Sequence, residues 1–329
     1  MRKALCVGID YYEKFNSLPG CVGDADAIGR LLETNYNGTE NFDVTFLKEE
    51  NSSCNCTAEK FEAAVRNLFS QSVATVLFYY SGHGGIIDDK GYLVPSDAKC
   101  VKDMFPMERL LEIIKDSNAT NKIVILDCCH AGSLGKFTTI PGCDILPENT
   151  TILAASRADQ TSALTIYGSL FTMSLYQALQ GGAANILGEI TPASIYTFID
   201  RALSNNEQRP VFKANLENFN CIRTIKPSIK LEDLRKITKI FYMPEYDYPL
   251  NPSFEEDKRD VKEEKYLVHN IENEAIFAVL RKYAALNMVE PIDLPEDKNY
   301  MYWAAVLSKA CRLTPHGRYY WMLVKRGII

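Results

Sequence analysis

The chain has 329 residues, 47% of them hydrophobic and 24% charged, with a net charge of −6 at pH 7. That is ordinary globular usage and excludes disorder over the whole length, while the acidic balance argues against a general grip on nucleic acid, which needs basic surface to displace phosphate counterions. The apolar runs are strand-length, short of the roughly 18 residues of a membrane-spanning helix, and the opening stretch is too short for a secretory leader, so a cytoplasmic protein is expected.

Residues 3–9 read as a buried strand, and 24–35 as an amphipathic helix with an acidic start. A short strand follows at 43–47, then a helix at 57–70 with Thr57 as its N-cap. Residues 73–80 form an apolar strand, 107–116 a helix, 122–126 and 151–155 two further strands. Helices at 169–180 and 191–204 precede an edge strand at 210–213, where proline is tolerated. Unbroken apolar strands alternating with helices imply a mostly parallel sheet covered on both faces, a three-layer α/β domain. Such sheets build their sites beyond the carboxyl ends of the strands.

Composition shifts near residue 222. Prolines, acids and lysines without periodicity read as a linker or wrapping segment over 223–264. Helical patterns return at 272–288, 300–310 and 315–326, with a strand-like run at 290–294. The expected organisation is therefore a catalytic-sized domain over 1–222 and a small helical module over 265–329. That module resembles winged-helix modules, which dock DNA or proteins; a regulatory protein partner is the expectation here. Ten cysteines and four histidines are present. No pair has the spacing of a zinc site, so buried thiols plus one reactive thiol are expected, without a metal.

Two segments carry chemistry. Tyr79-Tyr80-Ser81-Gly82-His83-Gly84-Gly85 follows one buried strand, and Asp127-Cys128-Cys129-His130-Ala131-Gly132-Ser133 follows another. If those strands are neighbours, an imidazole and a thiol face each other across one crevice. A free thiol is only a few per cent thiolate at neutral pH, so a nucleophilic cysteine needs a nearby base, oxyanion donors and access. His83 can take the thiol proton and return it to a leaving amine. The backbone N–H groups of Gly84 and Cys129 are the natural oxyanion donors. His130 adjoins Cys129 in the chain, so the two side chains diverge on extended backbone.

At these residues the chain resembles the caspase, metacaspase and paracaspase family of cysteine peptidases. Further ordered matches are Leu18-Pro19-Gly20-Cys21-Val22-Gly23-Asp24-Ala25, Ala154-Ala155-Ser156, Tyr167-Gly168-Ser169-Leu170-Phe171-Thr172 and Gln208-Arg209-Pro210. The resemblance covers residues 1 to about 215 and implies the caspase–haemoglobinase fold, Cys129 as nucleophile and His83 as its partner. Cys128 is expected to turn into the core. Asp127-Cys128-Cys129-His130 is similar to the metacaspase and paracaspase pattern rather than that of caspases proper. That implies an acidic S1 pocket made by Asp24 and Asp127, with a hydrogen bond from Ser156, and substrates with Arg or Lys at P1. Asp24 is also a first-turn helix acid, which the macrodipole favours; both roles can hold. Family members mature by cutting the loop after the nucleophile, where Lys136 is the candidate. Many metacaspases need calcium; the short interval between the two motifs counts against it here. The alternative function is an inactive caspase-like scaffold that binds partners through its C-terminal module.

Overall fold

The computed structural model describes residues 1–88, 90–128, 146–155, 164–165, 168–203, 209–217 and 220–329. They divide into two compact units, Met1–Lys226 and Pro227–Ile329.

The first unit contains strands β1 (Arg2–Ile9), β2 (Asp43–Glu49), β3 (Thr75–Ser81), β4 (Gly84–Ile87), β5 (Lys90–Leu93), β6 (Phe105–Pro106), β7 (Asn121–Asp127), β8 (Thr150–Ala154), β9 (Leu164–Thr165), β10 (Gly168–Ser169), β11 (Glu189–Ile190), β12 (Val211–Asn215) and β13 (Arg223–Thr224). Its helices are α1 (Cys21–Glu33), α2 (Ala58–Phe69), α3 (Met107–Lys115), α4 (Leu170–Gln177) and α5 (Pro192–Ala202). Six strands form one sheet in the order β12-β8-β7-β3-β1-β2. All pairings are parallel except β12 on β8, at the edge.

Alternation along each strand sorts side chains between two apolar layers. Leu5 and Val7 of β1, Phe78 and Tyr80 of β3, and Val124 and Leu126 of β7 pack with Phe61 and Val65 of α2 and Leu110 and Ile114 of α3. Their neighbours Ala4, Cys6, Leu77, Tyr79, Ile123 and Ile125 pack on the other face with Ile28 of α1, Leu175 of α4 and Ile199 of α5. Fully apolar strands are therefore needed, because both faces are covered. At β1, α1 comes so close that a Cβ on Gly8 would lie 2.4 Å from the Cys21 carbonyl oxygen.

The region 84–106, without a period of its own in the sequence, forms the small antiparallel sheet β4-β5-β6 directly after His83. Another feature the sequence hides is Glu49, whose fully buried carboxylate organises the loop 50–56. It accepts from Ser53 N (2.8 Å), Ser53 Oγ (2.6 Å), Asn55 N (2.5 Å), Cys56 N (3.0 Å) and Ser96 Oγ (3.3 Å). Burial alone would raise its pKa, but the Ser53 hydroxyl and the N–H groups of Cys56, Ser53 and Asn55 outweigh burial and hold it below the usual carboxylate range. Its stabilising contribution is present above the unfolded value of roughly 4.3 and is lost as pH falls through the lower folded value. Glu49→Ala should lose about 2–4 kcal/mol at pH 7, since several donors are stranded at once, and the deficit should shrink in acid. Urea unfolding at pH 7 and pH 3.5 checks both.

The second unit holds α6 (Leu231–Leu234), α7 (Ile237–Ile240), β14 (Tyr248–Pro249), α8 (Ile271–Ala285), β15 (Val289–Ile292), α9 (Met301–Val306), β16 (Ala310–Leu313) and α10 (Pro315–Lys325). β14, β16 and β15 make an antiparallel sheet, so this unit is mixed rather than purely helical. Nor is 223–264 a bare linker. Leu234, Ile237, Phe241, Leu250 and Phe254 are buried, and Trp321 Nε1 donates to the Phe241 carbonyl at 2.6 Å. Isolated anchors separated by prolines leave no periodic trace, which is why composition alone leaves the segment as a linker or wrapping segment.

Candidate active site

β3 and β7 are direct neighbours in parallel register, with Ser81 opposite Asp127. His83 and Cys129 each follow two residues beyond that last matched pair. Cys129 itself, with His130, Lys136 and Ser156, lies outside the described residues. Cys128 is buried in the layer shared with α2 and α3, as expected of it.

His83 is half-buried and gripped by the loop between β1 and α1. Its Nε2 lies 2.7 Å from the Asn16 carbonyl oxygen. A carbonyl can only accept, so Nε2 carries the proton in the neutral ring and Nδ1 is the nitrogen left to accept one. The Tyr12 ring lies against the imidazole, with centroids 4.6 Å apart, and Phe15 flanks it at 6.3 Å. The loop is held at its base by Asp10, whose carboxylate accepts from Gly20 N (3.3 Å) and Val22 N (2.9 Å) at the start of α1. Gly20 occupies a left-handed φ of 109°, which its lack of Cβ permits.

Gly84 opens β4. The Val94 N–H donates to the His83 carbonyl at 3.1 Å, making that facing pair a hydrogen-bonded one. Antiparallel ladders alternate bonded and non-bonded pairs. The next pair, Gly84 with Leu93, is therefore non-bonded, and the Gly84 N–H points away from β5.

Ser81 and Asp127 fall on the α1 and α4 face by alternation, and there they meet acids and hydroxyls. Ser81 Oγ donates to Asp24 Oδ2 at 3.1 Å. Thr172 Oγ1 donates to Asp127 Oδ2 at 2.5 Å and is itself 2.6 Å from the Tyr79 hydroxyl, which must be the donor in that contact. Asp24 sits in the first turn of α1, and Asp127 receives the Thr172 hydroxyl from the first turn of α4, so each carboxylate faces a helix N-terminus. Both acids are nonetheless buried, Asp24 at 9% exposure and Asp127 at 4%. Burial, then the neighbouring Asp127 charge, pushes Asp24 up to about 7, against hydrogen bonds from Ser81 and Ser169. Burial also raises Asp127, opposed by Thr172 and Ser169. Two desolvated acids side by side favour a cation or a shared proton. The Cys21 thiol joins them, pushed up by burial.

The structure thus brings Asp24 and Asp127 together and puts His83 and Gly84 at the adjoining strand ends. Ser81, Ser169 and Thr172 lie within the quoted motifs without a role assigned to them there, and Tyr12 and Asn16 lie outside every motif. Ser81 was findable, because residues 77, 79 and 81 share the period-two face of 123, 125 and 127. Asn16 acts through its backbone and leaves no side-chain signal. Among the described residues, no helix is long and apolar enough to cross a membrane.

Known proteins bear on this arrangement at three levels. Caspase-1 from Spodoptera frugiperda superposes with a TM-score of 0.52 at 15% identity, covering 68% of this chain and 90% of that one. A Geobacter sulfurreducens protein matches at TM-score 0.52 and 16% identity, over 68% and 99% of the two chains. The likeness to caspase-1 shows the fold as caspase-like. The family model of the caspase domain, Peptidase_C14, matches residues 1–220, and the chain belongs to that family. Metacaspase-6 of Arabidopsis thaliana is 32% identical over 145 residues, 40% of this chain and 39% of that protein. Metacaspase-1 of Cryptococcus neoformans var. neoformans serotype D is 25% identical over 202 residues, 57% and 44% of the two. The chain spans about two fifths of the length of these curated relatives.

Proposed function

We propose that this protein is a cysteine endopeptidase that cuts after arginine or lysine. The observation that carries the reading is the pair of buried carboxylates, Asp24 and Asp127, beneath the ends of β3 and β7 in a caspase-family domain. An empty pocket leaves two desolvated acids, so a cationic P1 side chain is the ligand that relieves them. Arginine can engage both carboxylates with its planar fork; lysine offers a single ammonium.

In the reaction, the Cys129 sulfur attacks the scissile carbonyl while its proton passes to His83 Nδ1. The Gly84 and Cys129 N–H groups receive the oxyanion. Collapse breaks the C–N bond, and His83 returns the proton to the leaving amine. Water, deprotonated by His83, then attacks the thioacyl carbon, which releases the carboxylic acid and restores the thiol. Ser156 adds a hydrogen bond at P1, and cleavage after Lys136 makes the domain self-processing. The described cysteines are free thiols, in keeping with a cytoplasmic setting. The C-terminal module serves as a docking element for a regulatory protein.

A fluorogenic peptide series varied only at P1 tests the reading. Arg and Lys should be cut at least a hundredfold faster than Asp or Leu, and a peptidyl-Arg chloromethylketone should alkylate Cys129. Preference for Asp at P1, or no labelling at all as in an inactive scaffold, would sink it. No metal enters the scheme, so millimolar chelator should leave the initial rate within twofold; restoration by added calcium after a larger loss would contradict this.

A further inference from the structure

We infer that Tyr12 and Tyr80 are positioning residues that lock the acid/base and the oxyanion donor of this site into one rigid unit. The inference rests on the assignment of His83 and Gly84 made above. The His83 N–H donates to the Tyr12 hydroxyl at 2.8 Å. The Tyr80 hydroxyl donates to the His83 carbonyl at 2.7 Å. The Tyr80 hydroxyl also lies 3.3 Å from the carbonyl of Val94, the residue across from His83. One phenol thus bonds the N–H of residue 83 and the other bonds its carbonyl, so the peptide groups on both sides of the His83 Cα are pinned.

Space for both hydroxyls exists only because residue 82 is glycine. A Cβ there would lie 2.7 Å from the Tyr12 oxygen and 2.7 Å from the Tyr80 oxygen. Both tyrosines are buried, so water cannot replace a lost hydroxyl cheaply. The consequence for catalysis follows from peptide geometry. The His83 carbonyl and the Gly84 N–H belong to one planar trans unit and point in opposite directions. Anchoring the carbonyl on Tyr80 therefore aims the Gly84 N–H, while anchoring the N–H on Tyr12, whose ring also packs on the imidazole, holds His83 over the site. Tyr80 lies on the opposite face of β3 from Ser81, so the two phenols act on the reacting centre and leave the P1 pocket alone.

The test is Tyr80→Phe and Tyr12→Phe in the full chain, assayed with an Arg-terminated fluorogenic peptide. Removing an oxyanion donor outright lowers kcat by roughly 10²–10³-fold. Loosening one should lower kcat by about tenfold to a hundredfold, with KM within twofold. Affinity for a peptide aldehyde, whose hemithioacetal oxygen uses the same donor, should fall in parallel, and affinity for the matching peptide acid should not. A lowered melting temperature with kcat and aldehyde affinity unchanged overturns the inference and leaves only a packing role. Should Tyr80→Phe fail to fold, Tyr12→Phe carries the same readouts. His83→Ala with full activity would instead remove the underlying assignment, which separates the two failures.

Discussion

Replacing Cys129 with alanine is expected to abolish turnover of an Arg-terminated peptide, with a loss on the order of 10⁵-fold or more in kcat, while peptide binding persists. Triads of this logic lose about that much when their nucleophile is removed, and the residual rate comes from binding and oxyanion contacts alone. His83→Ala should approach the same floor, because a thiol without its base is largely protonated at pH 7. The double variant should be no worse than either single one, since the two side chains act as a unit. Cys128→Ala is the informative neighbour. Its side chain packs in the core layer with α2 and α3, so the variant should lose about 1 kcal/mol of stability and keep its activity. Measured kcat values for the four variants decide the assignment; Cys128→Ala inactive beside an active Cys129→Ala would reverse it.

Much of this was legible from the chain alone, for identifiable reasons. Strands buried on both faces must be apolar throughout, so β1, β3, β7 and β8 stand out as uninterrupted runs. Motif resemblance singled out Asp24 and Asp127, which lie buried near one another, and its glycines singled out His83, which follows the end of β3. Other parts follow from partners far apart in sequence. The Glu49 carboxylate takes most of its donors from the backbone of residues 53–56, which leaves no side-chain signal, and one from Ser96, 47 positions away. The carbonyl that fixes the His83 tautomer belongs to Asn16, whose side chain is irrelevant to that role. Thr172 meets Asp127 across 45 positions. The second unit was underestimated because its N-terminal half is anchored by single residues such as Phe241 and Leu250 rather than by a repeating face.

The acids proposed for the P1 pocket, Asp24 and Asp127, carry the other large effect. Asp127→Asn should lower kcat/KM for an Arg peptide by about 2–5 kcal/mol, roughly 30- to 4,000-fold, because one partner of a buried charge pair is removed. Asp24→Asn should act in the same direction. With Asp24 raised to about 7, the acid limb of kcat/KM in the parent should fall near pH 7, as protonation removes the charge a cationic P1 group seeks. In Asp24→Asn that limb should lose its Asp24 component. Stability runs the other way. A carboxyl with a raised native pKa holds its proton in the folded chain where the unfolded chain has lost it, so the empty pocket becomes less favourable to the fold as pH climbs from roughly 4 to about 7. At pH 8 Asp24→Asn should therefore melt above the parent, and the gap should narrow toward pH 5. A bound Arg-terminated inhibitor should raise the melting temperature of the parent but not of Asp24→Asn or Asp127→Asn. Equal stabilisation of all three by that inhibitor would mean that these acids are structural and that the P1 cation is held elsewhere.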